Sequence, residues 1–257
     1  MTLDRPILIR AITTLARGAG DAILKIYNQD FDVRTKTDAS PVTEADELAE
    51  RIILAGLREL TPDIPVLAEE SAAAGEVVDL SGGVFWLVDP LDGTKEFIHK
   101  RGEFTVNIAL IENGTPTMGV IHVPAQGVTY YAEGPGKAWR QDGEEAPRPV
   151  LTRTAPAEGL TVVASRSHRT PETDAYIEKF KVAELISAGS SLKLCLLAEG
   201  KADLYPRFGR TMEWDIGAGQ AILEAAGGVV ETLDGAPLRY GKEGHDNPFF
   251  VAKGRPD

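Results

Sequence analysis

Apolar residues recur at three- and four-residue spacing through Ile12, Leu15, Ala16, Ala19, Ile23 and Ile26, which predicts an amphipathic helix over residues 7–27. The polar stretch Thr35-Lys36-Thr37-Asp38-Ala39-Ser40-Pro41 reads as a loop. Thr43, with Asp46 three residues on, has the arrangement of a capping box. Leu48, Ile52, Ile53 and Leu57 give the helix that follows its apolar face. The texture then becomes that of strands. Residues 65–68 form a short one ending at Glu69-Glu70, and residues 84–88 form a second, expected to end abruptly at Asp89-Pro90. Residues 105–111, 117–123 and 127–132 follow, the first two separated by the turn Glu112-Asn113-Gly114. This half reads as an antiparallel meander flanked by two helices.

The pattern changes near Ala146-Pro147-Arg148-Pro149. Strands at 160–164, 183–187, 202–205, 229–232 and 249–252 then alternate with helices at 172–180, 190–199 and 213–226. Gly227-Gly228 stops the last helix. Alternation of this kind predicts an α/β half with mixed strand order. The expected organisation is therefore an α+β half over 1–150 and an α/β half over 151–257.

Composition narrows the function classes. With 257 residues, 43% hydrophobic and 26% charged, the chain has the proportions of a globular protein. Its net charge of −12 repels nucleic-acid phosphate, which argues against a nucleic-acid partner. It leaves room for a small anionic substrate, because a local cation reverses the field inside a site. Cys195 is the only cysteine, so no internal disulfide forms. It falls on an apolar helix face and reads as core. The apolar runs, such as Phe85-Trp86-Leu87-Val88, fall far short of the roughly 20 residues of a spanning helix. Asp4, Arg5 and Arg10 stand where a signal peptide would carry its apolar stretch. A cytoplasmic location is expected, with peripheral attachment to the inner membrane left open. Monomer and homodimer are both open.

The densest chemistry lies in Trp86-Leu87-Val88-Asp89-Pro90-Leu91-Asp92-Gly93-Thr94-Lys95-Glu96-Phe97. A buried strand runs into two carboxylates three residues apart, then a glycine and a hydroxyl. Two such carboxylates repel unless a cation lies between them. Oxygen ligands of this kind suit Mg²⁺ or Mn²⁺, and a loop carbonyl such as that of Leu91 can complete a shell. A polar turn capped by Asp and Gly accounts for the same residues, and spacing alone does not separate the two. Glu69 and Glu70, Asp46, and Asp215 in Glu213-Trp214-Asp215 are acids that can converge on this turn. Asp46 and Asp215 both open helices, where capping is an equally good reason for an aspartate. Trp86 and Trp214 read as packing residues beside ligands.

Pro41-Val42-Thr43-Glu44-Ala45-Asp46, Ala68-Glu69-Glu70-Ser71, the turn 89–94 and Trp214-Asp215-Ile216-Gly217-Ala218-Gly219 occur in an order that resembles the inositol monophosphatase family. Those proteins are Mg²⁺-dependent, lithium-sensitive phosphomonoesterases with a layered αβαβα sandwich, and the likeness covers nearly the whole chain. Within the family, 89–97 and 102–110 are similar to the branch that acts on adenosine 3′,5′-bisphosphate. So are Ser165-Arg166-Ser167-His168, Gly189-Ser190-Ser191-Leu192-Lys193 and residues 198–209. A plain inositol phosphatase usually has Thr-Asn-Phe where this chain has Thr94-Lys95-Glu96-Phe97. Ile216-Gly217 departs slightly from the usual small residues and leaves Asp215 in place.

The resemblance implies two or three Mg²⁺ ions per site. Glu69, Asp89 and the Leu91 carbonyl hold the first. Asp89, Asp92 and Asp215 hold the second, and a weaker third lies near Glu69. Glu69 and Thr94 orient and deprotonate the attacking water, with Asp46 acting through Thr43, Thr94 or a water of the metal shell. Gly93 and Thr94 hold phosphate oxygens, Leu91, Asp92 and Asp215 also border the substrate, and His168 approaches the nucleotide. Ser190 and Lys193 at a helix start, and Arg207 after a strand, are candidates for a second anion site. Lys193 sits in a first turn, where the helix dipole disfavours a cation unless an anion is bound. The implied reaction is removal of the 3′-phosphate from adenosine 3′,5′-bisphosphate, a product of sulfate assimilation, with its sulfated analogue as a second substrate. Inositol or sugar phosphates are the alternative substrates, and a metal-dependent binding protein without turnover is the remote one.

Overall fold

The computed structural model describes residues 4–35, 41–165 and 169–255. Helix α1 (Arg5–Tyr27) begins on Asp4, whose side chain accepts the Ile7 N–H at 3.2 Å, with Pro6 in the first turn. Strands β1 (Val33–Thr35) and β2 (Pro41–Thr43) pair antiparallel, where a loop was expected; residues 36–40 lie outside the described residues. Helix α2 (Glu44–Leu60) carries the predicted capping box of Thr43 and Asp46. The chain continues through β3 (Val66–Ala68), α3 (Glu69–Ala73), β4 (Val84–Asp92), α4 (Thr94–Ile98), β5 (Thr105–Glu112), β6 (Thr115–Val123), β7 (Val128–Gly134), β8 (Lys137–Asp142) and β9 (Arg148–Pro149). Seven strands form one sheet in the order β3-β4-β5-β6-β7-β8-β9, antiparallel except for β3 beside β4.

The second half runs β10 (Leu160–Ser165), α5 (Pro171–Ile177), β11 (Val182–Ala188), α6 (Leu192–Ala198), β12 (Leu204–Arg207), α7 (Glu213–Ala225), β13 (Val229–Thr232) and β14 (Phe250–Lys253). Its five-stranded sheet has the order β11-β10-β12-β14-β13. Strands β11, β10 and β12 are parallel, and β14 is antiparallel to both its neighbours.

Burial on both faces of the large sheet sets the layers. On β4, Trp86 and Val88 pack with Ile12, Ile53 and Leu57 of α1 and α2. Phe85 and Leu87, pointing the other way, pack with Ile216, Ala218 and Ile222 of α7. That second cluster continues without a break into Leu194 and Cys195 of α6 and Tyr205, Phe250 and Ala252 of the five-stranded sheet. A small cluster of Val162, Ile177, Leu204 and Val251 covers the outer face under α5. The result is the expected αβαβα sandwich. Helix α7 lies so close to β6 that a Cβ on Gly119 would fall 2.6 Å from the Ala218 carbonyl oxygen.

Several elements differ from the sequence reading. Strand β4 does not end at Asp89 but continues to Asp92 through a register shift. Strands β8 and β9 extend the meander beyond residue 132. Helix α6 begins at Leu192 rather than residue 190, and Ser190 ahead of it has φ 44°, which no helix start adopts.

Candidate active site

The site grows from an irregularity in β4. Asp89 pairs with Asn107 and Asp92 with Thr105, so three steps on β4 face two on β5. In a regular strand residues three apart point to opposite faces; the extra residue brings both aspartates to one side. Pro90 lies inside the irregular stretch, where its missing N–H breaks no ladder bond. The Leu91 N–H donates to Asp89 Oδ1 at 3.0 Å and fixes that carboxylate. Gly93 then turns the chain into α4 at φ 89°, a left-handed conformation, and a Cβ there would meet the Ser190 Cβ at 3.2 Å.

Asp215 reaches the same place from the first turn of α7. Carboxylate oxygens of Asp89, Asp92 and Asp215 all lie within 4.8 Å of one another. Burial, reinforced by Glu69, Asp92 and Asp215, drives the Asp89 carboxyl well above its ordinary range. Burial and the same crowding raise Asp215 well above its range. Asp92 is also raised by burial, while Lys193 and the hydrogen bonds from Ser191 oppose the shift. Three acids buried this close together, with Glu69 beside them, form a cluster whose ionised state calls for a cation. All the donors are hard oxygens, so the set fits Mg²⁺ or a similar ion. Glu69, at the start of α3, lines the same cleft.

Thr94 and Asp46, on different elements, meet beside these acids. Thr94 Oγ1 lies 3.2 Å from Asp46 Oδ1 and 3.4 Å from the Leu91 carbonyl oxygen. Asp46 is buried, and its other oxygen accepts both the Thr43 N–H at 2.8 Å and the Thr43 hydroxyl at 2.7 Å. Asp46 thus uses one oxygen to cap α2 and the other to receive the Thr94 hydroxyl.

A cleft of about 400 Å³ joins these residues to the second half. Glu69, Asp92, Gly93, Thr94 and Asp215 line one part; Ser165, Ser190, Lys193, Tyr205 and Arg207 line the other. The expected anion site at a helix start is replaced by another arrangement. The Ser191 N–H that would face an anion donates instead to Asp92 Oδ2 at 2.6 Å, and Ser190 Oγ donates to the Glu103 carbonyl at 2.8 Å. Positive charge comes from side chains. Lys193 is buried, with Nζ donating to the Ser190 carbonyl at 2.5 Å and lying 5.4 Å from the centre of the Tyr205 ring. Burial pushes its pKa down to about 8, against the pull of Asp92. Arg207 is buried too; its Nη2 donates to the Arg210 carbonyl at 2.9 Å, and its Nε has no partner among the described residues. His168 lies outside the described residues, with Arg166 and Ser167; Ser165 of the same motif lines the cleft.

Sequence reasoning missed several supporting residues. Glu50 on α2 is buried and accepts the Glu70 N–H at 2.7 Å, the Ser71 N–H at 2.8 Å and the Ser71 hydroxyl at 2.6 Å, which anchors the turn carrying Glu69. Its spacing of four from Asp46 puts both acids on one helix face, the signal that was available. Asn107 Nδ2 donates to Ser191 Oγ at 2.8 Å. Glu213 has no exposed surface, and nothing in its sequence neighbourhood marks it.

Comparison with known proteins places these observations. The inositol monophosphatase family matches residues 5–253. The chain is 49% identical over 246 residues to the 3′(2′),5′-bisphosphate nucleotidase CysQ of Salmonella typhimurium, covering 95% of this chain and 98% of that protein. It is 48% identical over the same length to the protein of that name from Escherichia coli K12, with the same coverage. Among solved structures it is similar to CysQ from Bacteroides thetaiotaomicron, described as a bacterial member of the inositol monophosphatase family. The TM-score is 0.83 at 41% identity, over 99% of each chain.

Proposed function

The chain belongs to the inositol monophosphatase family, and from that premise we propose that it is a Mg²⁺-dependent 3′(2′),5′-bisphosphate nucleotidase that converts adenosine 3′,5′-bisphosphate to AMP and phosphate. The observation that carries the substrate is the second charge centre: Lys193 and Arg207 line the same cleft as Asp92, Thr94 and Asp215. A substrate with one phosphate, bound at the acids, has no use for two further buried cations in the cleft. One with two phosphates presents the cleaved group to the acids and the retained group to Lys193 and Arg207.

Glu69, Asp89, Asp92, Asp215 and the Leu91 carbonyl are the residues that would hold two or three Mg²⁺. Bound there, Mg²⁺ supplies charge neutralisation for the phosphate dianion, a more acidic water and stabilisation of the departing oxygen. The chain's own groups do the rest. The N–H groups of Gly93 and Thr94 hold phosphate oxygens. Thr94, its own proton directed to Asp46, accepts a hydrogen bond from the attacking water, and Glu69 takes the water proton. The water oxygen bonds to phosphorus as the bond from phosphorus to the 3′-oxygen breaks. That oxygen leaves on the side away from the water and takes a proton from solvent. Arg207, whose Nε has no partner among the described residues, and Lys193 keep the 5′-phosphate fixed while this happens.

The same reading expects inhibition by Li⁺, inhibition by excess Ca²⁺ through its larger and looser shell, and action in the cytoplasm. Among the described residues no helix is long and apolar enough to cross a membrane.

Phosphate release from adenosine 3′,5′-bisphosphate, its sulfated analogue, 3′-AMP and inositol 1-phosphate, each with and without Mg²⁺, tests the reading. Mg²⁺-dependent turnover that prefers the bisphosphate, and that Asp89→Asn abolishes on all four substrates, is expected. Preference for inositol 1-phosphate would put the inositol phosphatase reading first, and release from none of the four would favour a binding protein.

A further inference from the structure

The first residue of α7, Glu213, sits two positions before Asp215 and is completely enclosed. Burying a carboxylate is costly unless it is paired and hydrogen-bonded. Here the partners all come from the loop 239–247. Glu213 Oε2 accepts the Gly241 N–H at 2.8 Å, and Oε1 accepts the Lys242 N–H at 2.9 Å and Lys242 Nζ at 2.6 Å. The Glu213 N–H returns a bond to the His245 carbonyl at 2.9 Å.

The neighbouring peptide is gripped by the same loop. Asn247 Nδ2 donates to the Met212 carbonyl at 2.7 Å, and the Asn247 N–H donates to the Thr211 carbonyl at 2.9 Å. The Met212 N–H in turn donates to Asp215 Oδ2 at 2.8 Å. One carboxylate oxygen of Asp215 is therefore held by a peptide whose position the loop determines. Arg210 Nε also reaches Asp246 Oδ1 at 2.7 Å, and the Arg210 carbonyl receives Arg207 Nη2. The loop thus touches both ends of the segment that separates Arg207 from Asp215.

We propose that Glu213, clasped by the loop 239–247, is a positioning residue that fixes the Asp215 carboxylate for cation binding and sets its place relative to Arg207. This rests on the reading of Asp215 as a cation ligand. Supporting groups around metal ligands typically change affinity by about 10- to 100-fold, and the clasp is expected to act in that range.

The test is titration of the metal-free protein with Mn²⁺, read by the electron paramagnetic resonance signal of free Mn²⁺, so that no turnover enters. Glu213→Gln keeps the shape and removes the charge; at least a roughly 10-fold loss of Mn²⁺ affinity is expected, with far-ultraviolet circular dichroism unchanged. Lys242→Met should weaken binding in the same direction and Lys242→Arg should restore most of it. A lower melting temperature with wild-type Mn²⁺ affinity would mean a merely structural clasp and overturn the proposal. Asp215→Asn separates the two layers: if it binds Mn²⁺ like the wild type, the ligand reading fails, whereas weak binding there beside normal binding in Glu213→Gln defeats the clasp alone. If Glu213→Gln does not fold, Asn247→Ala carries the same expectation through the Met212 carbonyl.

Discussion

Ser191 holds Asp92 and Asp215 together: its N–H donates to Asp92 Oδ2 at 2.6 Å, and its Oγ lies 2.7 Å from that oxygen and 2.7 Å from the Asp215 carbonyl oxygen. One hydroxyl proton serves two acceptors on different elements, while Asn107 fills a lone pair of the same oxygen. Ser191→Ala removes the hydroxyl and spares the N–H. A hydrogen bond to a charged group is worth about 1.5–3 kcal/mol, so kcat/KM for adenosine 3′,5′-bisphosphate is expected to fall roughly 10- to 100-fold. Raising Mg²⁺ should recover part of the loss. Steady-state kinetics across a Mg²⁺ series would check this, and an unchanged Mg²⁺ dependence would show that Ser191 does not brace the cation ligands.

Thr94 and Asp46, joined by a 3.2 Å hydrogen bond, are expected to act as a unit. Thr94→Val or Asp46→Asn should lower kcat by about 10²- to 10⁴-fold, the usual range for proton transfer by a positioned group, with KM little changed. The double variant should be hardly worse than either single one. Losses that multiply in the double variant would mean that the two residues serve separate steps. Thermal melts are needed beside the kinetics, because Asp46 also caps α2 and its loss should cost about 1 kcal/mol of stability.

Lys193 and Arg207 should act selectively. Lys193→Ala together with Arg207→Ala removes two charge-assisted contacts, each about 1.5–3 kcal/mol. Efficiency on adenosine 3′,5′-bisphosphate is expected to drop by roughly two orders of magnitude or more, while 3′-AMP and inositol 1-phosphate change little. Burial pushes the Lys193 pKa down to about 8. The ammonium is present below that value and lost above it, so KM for the bisphosphate should rise as pH increases through about 8. Monophosphate KM should not follow it, and Lys193→Met should flatten the bisphosphate profile. Equal losses on both substrate types would assign these cations to the cleaved phosphate or to the fold.

A prediction away from the cleft concerns His122, whose ring shares a 2.9 Å hydrogen bond with Thr129 Oγ1. Burial, with Arg17 nearby, pushes the His122 pKa down to about 4. An unfolded chain protonates this histidine near 6.5 and the folded chain does not, so its contribution is complete above the unfolded value. It is then lost as pH falls from about 6.5 towards 4, by up to about 3 kcal/mol. Urea midpoints at several pH values, for the wild type and His122→Gln, isolate this slope from that of the carboxylates. Parallel pH profiles would show that His122 titrates normally.

The structure also makes Gly20 the space for that ring, since a Cβ there would lie 2.5 Å from His122 Cδ2. Gly20→Ala is expected to cost about 1–3 kcal/mol through overpacking. It should lower the melting temperature without changing kcat, because α1 does not line the cleft. A melting temperature at or above that of the wild type would mean that the ring shifts freely.

What was legible in the sequence follows its periodicity. Helices α1 and α2 bury one stripe each, and β4 to β6 are apolar enough to announce themselves. Strand β8 was missed because Lys-Ala-Trp-Arg-Gln-Asp alternates poorly, although the two-residue turn Pro135-Gly136 joins it directly to β7. Asp89, Asp92, Asp215, Glu69 and Thr94 were legible through their family spacing, which carries no geometry of its own. Glu50 and Glu213 were not, since a helical glutamate looks solvated until its partners, distant in sequence, are known. Only the helix-start donors of the anion site differ from the sequence reading, for a related reason. A helix start invites an anion, but Asp92, 99 residues earlier, already takes the Ser191 N–H.

The extra residue in β4 has a consequence for how this chain can change. Substitutions at Pro90 or Leu91 leave the count along the strand intact, so Asp89 and Asp92 stay on one side of the sheet. Deletion of either one leaves the two aspartates two apart, where a regular strand still points them to one face, but it removes the irregular turn in which the Leu91 N–H fixes Asp89. What is inherited here is the mismatch of three steps against two. A lineage can replace many side chains around the cleft and keep the arrangement of its acids, yet a single codon gained in β5 opposite this stretch would even the count and leave a well-formed sheet with its two aspartates back to back.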